Sequence, residues 1–221
     1  MSAITPPSRL QSRAYAELRR LIVSGEFPPG TFLSERQLAQ QLEMSKTPVH
    51  VALERLEAEG FVSISAQQGI VVRGMSVEDI VDHYELREAV ECWTVRRLAG
   101  RLNEAQQKLL QENIDQQQVA LRDDDLNVLM RLDGEMHCLL CSFLGNREIM
   151  TIMERLQDKI HQVIIRVHDT DRTRPTASVA EHVKIVEAVL AGDEAHAVDL
   201  MTEHLEAGKR RILNPSRFPV S

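Results

Sequence analysis

Asp133 and His137 stand four residues apart in "DGEMHCLLCSFL", a segment whose other residues are mostly apolar. At that spacing two side chains leave the same face of a helix. Polar groups among apolar ones are costly to bury unless something satisfies them. Alone, the pair reads as a surface hydrogen bond or salt bridge, but two later histidines change that reading. His182 lies in "AEHVKIVEAVL" and His204 in "VDLMTEHLEAGKR", each beside an apolar helical face. A turn at Gly192–Asp193 would fold these two helices into an antiparallel pair. One carboxylate and three imidazoles inside a bundle suit a divalent cation, with zinc first and nickel or manganese as alternatives. The competing reading is buried histidines satisfied by hydrogen bonds alone.

Other reactive side chains rank lower. Cys138 and Cys141 have CxxC spacing but fall in mid-helix, whereas redox dithiols favour a helix N-terminus; small apolar packing suits all three cysteines better. His161 and His168 share a helix, from which one of the two would face the cavity; His196 points to solvent, and His83 has no special context. There is no HExxH helix and no nucleophile elbow, and Glu135 and Glu181 project away from the neighbouring ligands. A metal-dependent enzyme therefore ranks below a binding protein.

These residues need a scaffold, and the 221-residue chain is long enough for one large domain or two small ones. Aromatic residues make up only 4%, so the core falls to Leu, Val, Ile, Ala and Met. The start, "MSAITPPSRLQSRAY", lacks a signal-peptide core, no run reaches membrane-spanning length, and three cysteines fit a reducing compartment. The expectation is a cytoplasmic protein with no membrane partner. The net charge is −7, unevenly spread: residues 1–74 carry eight Lys/Arg against seven Asp/Glu, the remainder 18 against 26. A near-neutral first third joined to an acidic remainder fits two modules with different partners.

In the first module, Leu10, Ala14, Leu18, Leu21 and Ile22 recur at helical spacing, and "FPPG" makes a turn. Ser34 with Gln37 forms a capping box opening a short helix, Glu35 to Gln41. After "LEMS", Ser45 or Thr47 caps a third helix, with Pro48 in its first turn. "FVSISAQQGIVVR" then alternates and reverses as a β-hairpin. The order helix, short helix, turn, helix, hairpin is that of a winged helix-turn-helix, whose third helix enters the DNA major groove.

"LSERQLAQQLEMSKTPVHVALERLEAEGFV…QQGIVV" resembles the DNA-binding module of the GntR family of bacterial transcription regulators over roughly residues 9–74. That resemblance implies operator contacts by Arg36, Ser45, Lys46, Thr47, His50, Gln68 and Gly69. The family pattern has arginine at Lys46, His50 and Gln68 and glycine at Glu43, so fewer bidentate contacts to guanine or phosphate are available here. After a linker at "RGMS", with Ser76 and Asp79 capping the next helix, the pattern stays helical to about Ile212. Breaks near 100–103, 122–125, 145–146, 169–175 and 192–193 divide it into six or seven helices.

"YELREAVECWTVRRLA", "DGEMHCLLCSFLGN" and "SVAEHVKIVEAVLAGDEAHAVDLMTEHL" resemble the FCD effector domain of the FadR subfamily. That resemblance implies the metal set Asp133, His137, His182 and His204, and an effector arginine at Arg87, whose alternative is a surface ion pair with Glu91. Asn146 would orient groups at the pocket or cap the next helix. The expected protein is mainly α, with an arm at 1–8, the winged helix at 9–74, an all-α effector domain at 75–213 and a tail at 214–221. Its expected function is that of a homodimeric regulator, a repressor or an activator, which binds double-stranded operator DNA and answers to a small organic acid at the metal. The alternatives are a purely structural metal and, further down, an enzyme.

Overall fold

The computed structural model describes residues 8–65, 69–168 and 173–214, apart from the side chains of 161–168 and 173. It divides into two compact units, Met1–Gly74 and Met75–Ser221.

The first unit contains α1 (Arg9–Val23), β1 (Phe32–Leu33), α2 (Glu35–Gln41), α3 (Lys46–Ala58), β2 (Val62–Ser65) and β3 (Gly69–Val72). Ala14, Leu18 and Ile22 of α1, Leu38 of α2, and Val49, Leu53 and Leu56 of α3 close a core beneath Val62, Ile70 and Val72 of the sheet. The expected hairpin is present, with Val62 opposite Val72 and Ser65 opposite Gly69. A third strand, β1, was not expected; it pairs Phe32 with Val71 and sets the sheet order β1-β3-β2. The capping box expected at Ser34 is corrected: Ser34 is the N-cap of α2 but makes no side-chain cap hydrogen bond. Ser45 likewise occupies the N-cap of α3 without a side-chain cap bond.

The second unit is a bundle of six helices: α4 (Val77–Leu98), α5 (Glu104–Arg122), α6 (Leu126–Ser142), α7 (Arg147–His168), α8 (Thr173–Ala191) and α9 (Glu194–Leu213). No strand occurs there among the described residues, and no helix is long and apolar enough to cross a membrane. Ser76 and Asp79 form a reciprocal capping box that starts α4. The core runs through Ile80, Tyr84, Val95, Leu110, Met136, Leu140, Ile185, Val189 and Met201. Gly208 lets α9 approach α4, since a Cβ there would sit 2.8 Å from the Tyr84 hydroxyl. Helix α8 begins before Pro175, which falls in its first turn; a missing N–H does no harm at that position.

Candidate metal centre

Three helices bring three imidazoles together. His137 from α6, His182 from α8 and His204 from α9 are all buried, and one ring nitrogen from each lies within 4.8 Å of the other two. The Nε2 atoms of His182 and His204 are 3.3 Å apart. A metal about 2.0–2.1 Å from each nitrogen would hold neighbouring nitrogens roughly 3.0 Å apart in octahedral geometry and roughly 3.4 Å apart in tetrahedral geometry. Asp133, one turn before His137, flanks the cluster: Oδ1 is 3.5 Å from Nε2 of His182 and Oδ2 is 3.9 Å from Nε2 of His137. The Ser178 hydroxyl donates to Oδ1 at 3.1 Å.

What decides the chemistry is the opposite side of each ring. Nδ1 of His137 meets Oε2 of Glu91 at 2.5 Å, and Nδ1 of His204 meets Oε2 of Glu181 at 2.7 Å. Ionised carboxylates only accept, so both Nδ1 atoms carry protons. Nδ1 of His182 meets Oε1 of Gln117 at 2.8 Å. That amide is oriented from outside: the backbone carbonyl of Leu132 accepts from Nδ2 of Asn113, whose Oδ1 accepts from Nε2 of Gln117. A carbonyl cannot donate, so the relay fixes both amides and leaves Gln117 an oxygen for His182. In its neutral form each ring is therefore the Nδ1–H tautomer, which turns its Nε2 lone pair toward the other two. Nε2 of His137 has no hydrogen-bond partner at all. Convergent, proton-free nitrogens locked by carboxylate or amide partners are the arrangement a divalent cation requires.

The charge states agree. Burial pushes His182 down to about 4 despite the opposing pull of Asp133. Burial, followed by its two imidazole neighbours, pushes His204 well below its usual value. Burial works to raise the Asp133 carboxyl, yet His182, His137 and His204 together hold it well below the usual carboxylate range. His182 and His204 are thus held neutral beside one anion.

Several residues stand elsewhere than the sequence suggested. Arg87 does pair with Glu91, Nε to Oε1 at 2.6 Å, but the pair is buried, with side chains 4% and 2% exposed. It is no surface ion pair, because the other oxygen of Glu91 holds His137. Nη2 of Arg87 has no partner. Glu181, set aside as pointing away, does turn from its neighbour His182, but reaches across to His204 and is gripped by Arg174 at 2.7 Å through each oxygen. Asn146 is exposed, and its Oδ1 accepts from the backbone N–H groups of Glu148 and Ile149; it caps α7 and does not face the centre.

Cys141 is buried and Cys138 half-buried, both among apolar neighbours, and burial raises their thiols to about 12 and about 11. His196 is exposed, as expected. The side chains of His161 and His168 lie outside the described residues.

Sequence reasoning missed Gln117 and Asn113, and the roles of Glu91 and Glu181 at the rings. Helical phase held a usable signal. Arg87 and Glu91 fall on the stripe of Ile80, Tyr84, Val95 and Leu98, and Asn113 and Gln117 on that of Leu110 and Ile114.

In the first unit, Arg36, Ser45, Lys46, Thr47, His50 and Gly69 are all exposed, and Gln68 lies outside the described residues. His50 sits between Glu35 at 3.3 Å and Glu54 at 3.4 Å, so the exposed side of α3 is less basic than its histidine suggests. Glu43 adopts φ 54°, the left-handed backbone that explains why the family pattern has glycine there.

A three-stranded winged helix-turn-helix and a six-helix bundle with a histidine centre define the class. The family model described as "Bacterial regulatory proteins, gntR family" matches residues 10–72, and that of the FCD domain matches residues 82–207. The chain belongs to the GntR family of bacterial transcription regulators, in the branch that carries an FCD domain. It is similar to the HTH-type transcriptional repressor RspR of Escherichia coli K12, 28% identical over 204 residues, or 92% of this chain and 89% of RspR. It is also similar to the Nta operon transcriptional regulator of Aminobacter aminovorans, 30% identical over 201 residues, 91% and 93% of the two chains. A GntR regulator structure from Rhodococcus sp. RHA1 superposes with a TM-score of 0.82 at 25% identity, covering 94% of this chain and 99% of that one. These relatives are regulators and not enzymes, and so is this chain.

Proposed function

We propose that the protein is a ligand-responsive, cytoplasmic, homodimeric repressor. It binds double-stranded operator DNA through α3 and the hairpin and releases it when a small organic acid binds a metal-containing pocket. The observation that carries the metal is the convergence of three proton-free Nε2 atoms, each ring locked by Glu91, Gln117 or Glu181. His137, His182, His204 and Asp133 would hold the ion, which supplies Lewis-acid attraction for a carboxylate. Imidazole and carboxylate donors suit zinc, with nickel or manganese also compatible. Arg87 supports the acid: its planar fork matches a carboxylate, and its Nη2 is buried and unspent.

The exposed N-terminal side of α3, with Ser45, Lys46 and Thr47, together with Arg36, His50, Gln68 and Gly69, would make the operator contacts. Dimerisation is supported by α4, whose outer face exposes Leu86 (43%) and Trp93 (45%) around Ala89. Asp82 and Glu85 lie toward one end of that stripe, and Arg96 and Arg97 lie toward the other. Two copies crossing antiparallel at Ala89 would set acid against base, and a two-fold dimer imposes a near-palindromic operator.

The test titrates carboxylate metabolites against metal-loaded protein while thermal stability and operator affinity are read together. His137→Ala should lose metal and effector response while its apo form still binds operator. Unchanged metal content in that variant refutes the ligand set, and turnover of an added acid refutes the regulator.

A further inference from the structure

The polar stripe on α4 continues past the metal centre. Glu91 touches His137, and Arg87 touches Glu91 through Nε. Beyond them Nη2 of Arg87 has no partner, and one turn further neither ring nitrogen of His83 has one. His83 and Arg87 are each 4% exposed, so bulk water does not serve them. From α7, Gln157 presents a buried Nε2 that also lacks a partner. Its Oε1 lies where only a glycine at 134 gives room, since a Cβ there would sit 3.1 Å away, one residue from Asp133. The stripe is thus satisfied at the metal end and unsatisfied at the far end. Buried polar groups are normally partnered, so a run of orphans marks where a polar molecule fits.

We propose that His83 is a specificity-determining residue that reads a hydroxyl on the distal part of the effector, making the ligand a polyhydroxy acid and not a plain carboxylate. The inference rests on the organic-acid reading above and names the class of acid. Burial, reinforced by Arg87, lowers His83 to about 3, against the opposing pull of Glu91. The ring is therefore neutral at pH 7 and offers one N–H donor and one lone-pair acceptor. A second carboxylate would satisfy only the donor and an alkyl chain neither; hydroxyls do both. Four residues of helix separate His83 from Arg87 by about 6 Å, so the hydroxyl belongs several carbons from the carboxylate that Arg87 takes. A site built to bond a hydroxyl discriminates strongly against the analogue that lacks it, because its own buried groups are then left unpaired.

The experiment uses the full chain loaded with zinc and measures calorimetric affinity for matched pairs: four- to six-carbon aldonates against unsubstituted acids of the same length. The longer aldonates should bind at least about tenfold tighter than their plain partners. His83→Leu should collapse that ratio below about twofold, and His83→Gln, which keeps a donor and an acceptor, should retain part of it. Equal affinities for each pair in the unmutated protein overturn the proposal and assign the orphaned groups to water; so does a ratio that survives His83→Leu. If His83→Leu fails to fold, the ratio in the unmutated protein and in His83→Gln still decides. If no acid of either kind binds, the organic-acid reading itself falls, and this inference falls with it.

Discussion

Replacing Gln117 with methionine removes a hydrogen-bond partner from the candidate metal centre without touching a proposed ligand. Gln117 meets only the far side of His182, and His182 is fully buried. Methionine matches the volume but cannot accept, so the Nδ1–H of His182 loses its partner, at a cost of about 1–3 kcal/mol. The ring has an escape: it can move its proton to Nε2, where Nε2 of His204 lies at 3.3 Å and Oδ1 of Asp133 at 3.5 Å. That escape softens the loss of apo stability but protonates the very atom that must bind the ion. Loss of such a supporting partner typically lowers metal affinity about 10–100-fold, which corresponds to about 1.4–2.7 kcal/mol at 1.36 kcal/mol per decade. Competition with a chromogenic chelator for zinc, beside urea unfolding of the apo protein, reads both quantities. Asn113→Leu, one side chain further out, should act in the same direction but less strongly, since Gln117 is then free to rotate. Unchanged zinc affinity in a folded Gln117→Met would refute the relay and the tautomer assignment built on it.

Glu43→Gly should raise the unfolding free energy of the first unit by about 1 kcal/mol, read as a higher urea midpoint, because Glu43 holds φ 54° and glycine adopts that region freely; a lower midpoint would contradict this. Trp93→Glu should convert the proposed dimer to monomer in sedimentation, and a dimer of unchanged strength would place the interface elsewhere. His83 gives a pH signature, because burial, with Arg87 and Lys159 and against Glu91, disfavours its protonated form. Its folded value, about 3, lies below the usual 6.5, so the unfolded chain binds the extra proton and stability is lost as pH falls below 6.5. Relative to His83→Leu, the unmutated protein should lose about 2 kcal/mol between pH 7 and pH 5; parallel pH profiles would show His83 to be solvated.

The parts of the molecule legible in sequence were those written in local spacing. Asp133 and His137 are one turn apart, His182 and His204 flank a Gly-Asp turn, and the hairpin announces itself by alternation. The strand Phe32–Leu33 was not legible, because two residues carry no period and its partner lies beyond α3. The groups that lock the rings were hidden for a different reason. Glu91, Asn113 and Gln117 sit in core phase on α4 and α5, but hydropathy counts a glutamate or an amide as surface. Asn146 carried two readings, pocket and cap, and the cap is what its side chain does: it closes the first turn of α7. Phase would have found the first group, and the capping rule alone was enough for the second.

Whether an ion here would serve an effector or only the bundle turns on Arg87. A structural site needs a closed set of donors, and three imidazoles with Asp133 can close one. Such a site gains nothing from a buried guanidinium, since apolar residues at positions 87 and 91 would serve stability at least as well as a buried ion pair. Yet Arg87 is buried, its Nε is spent on Glu91, Glu91 is spent on His137, and Nη2 has no partner. Arg87 and His137 together keep the Glu91 carboxyl well below its usual range, against the effect of burial. An anion arriving at Nη2 would draw on the same guanidinium charge that holds Glu91. Glu91 would then lean harder on the Nδ1 proton of His137, making its Nε2 a stronger donor toward the ion. On the proposed reading, acid and metal therefore bind cooperatively, and linkage requires each to raise the other's affinity by the same factor.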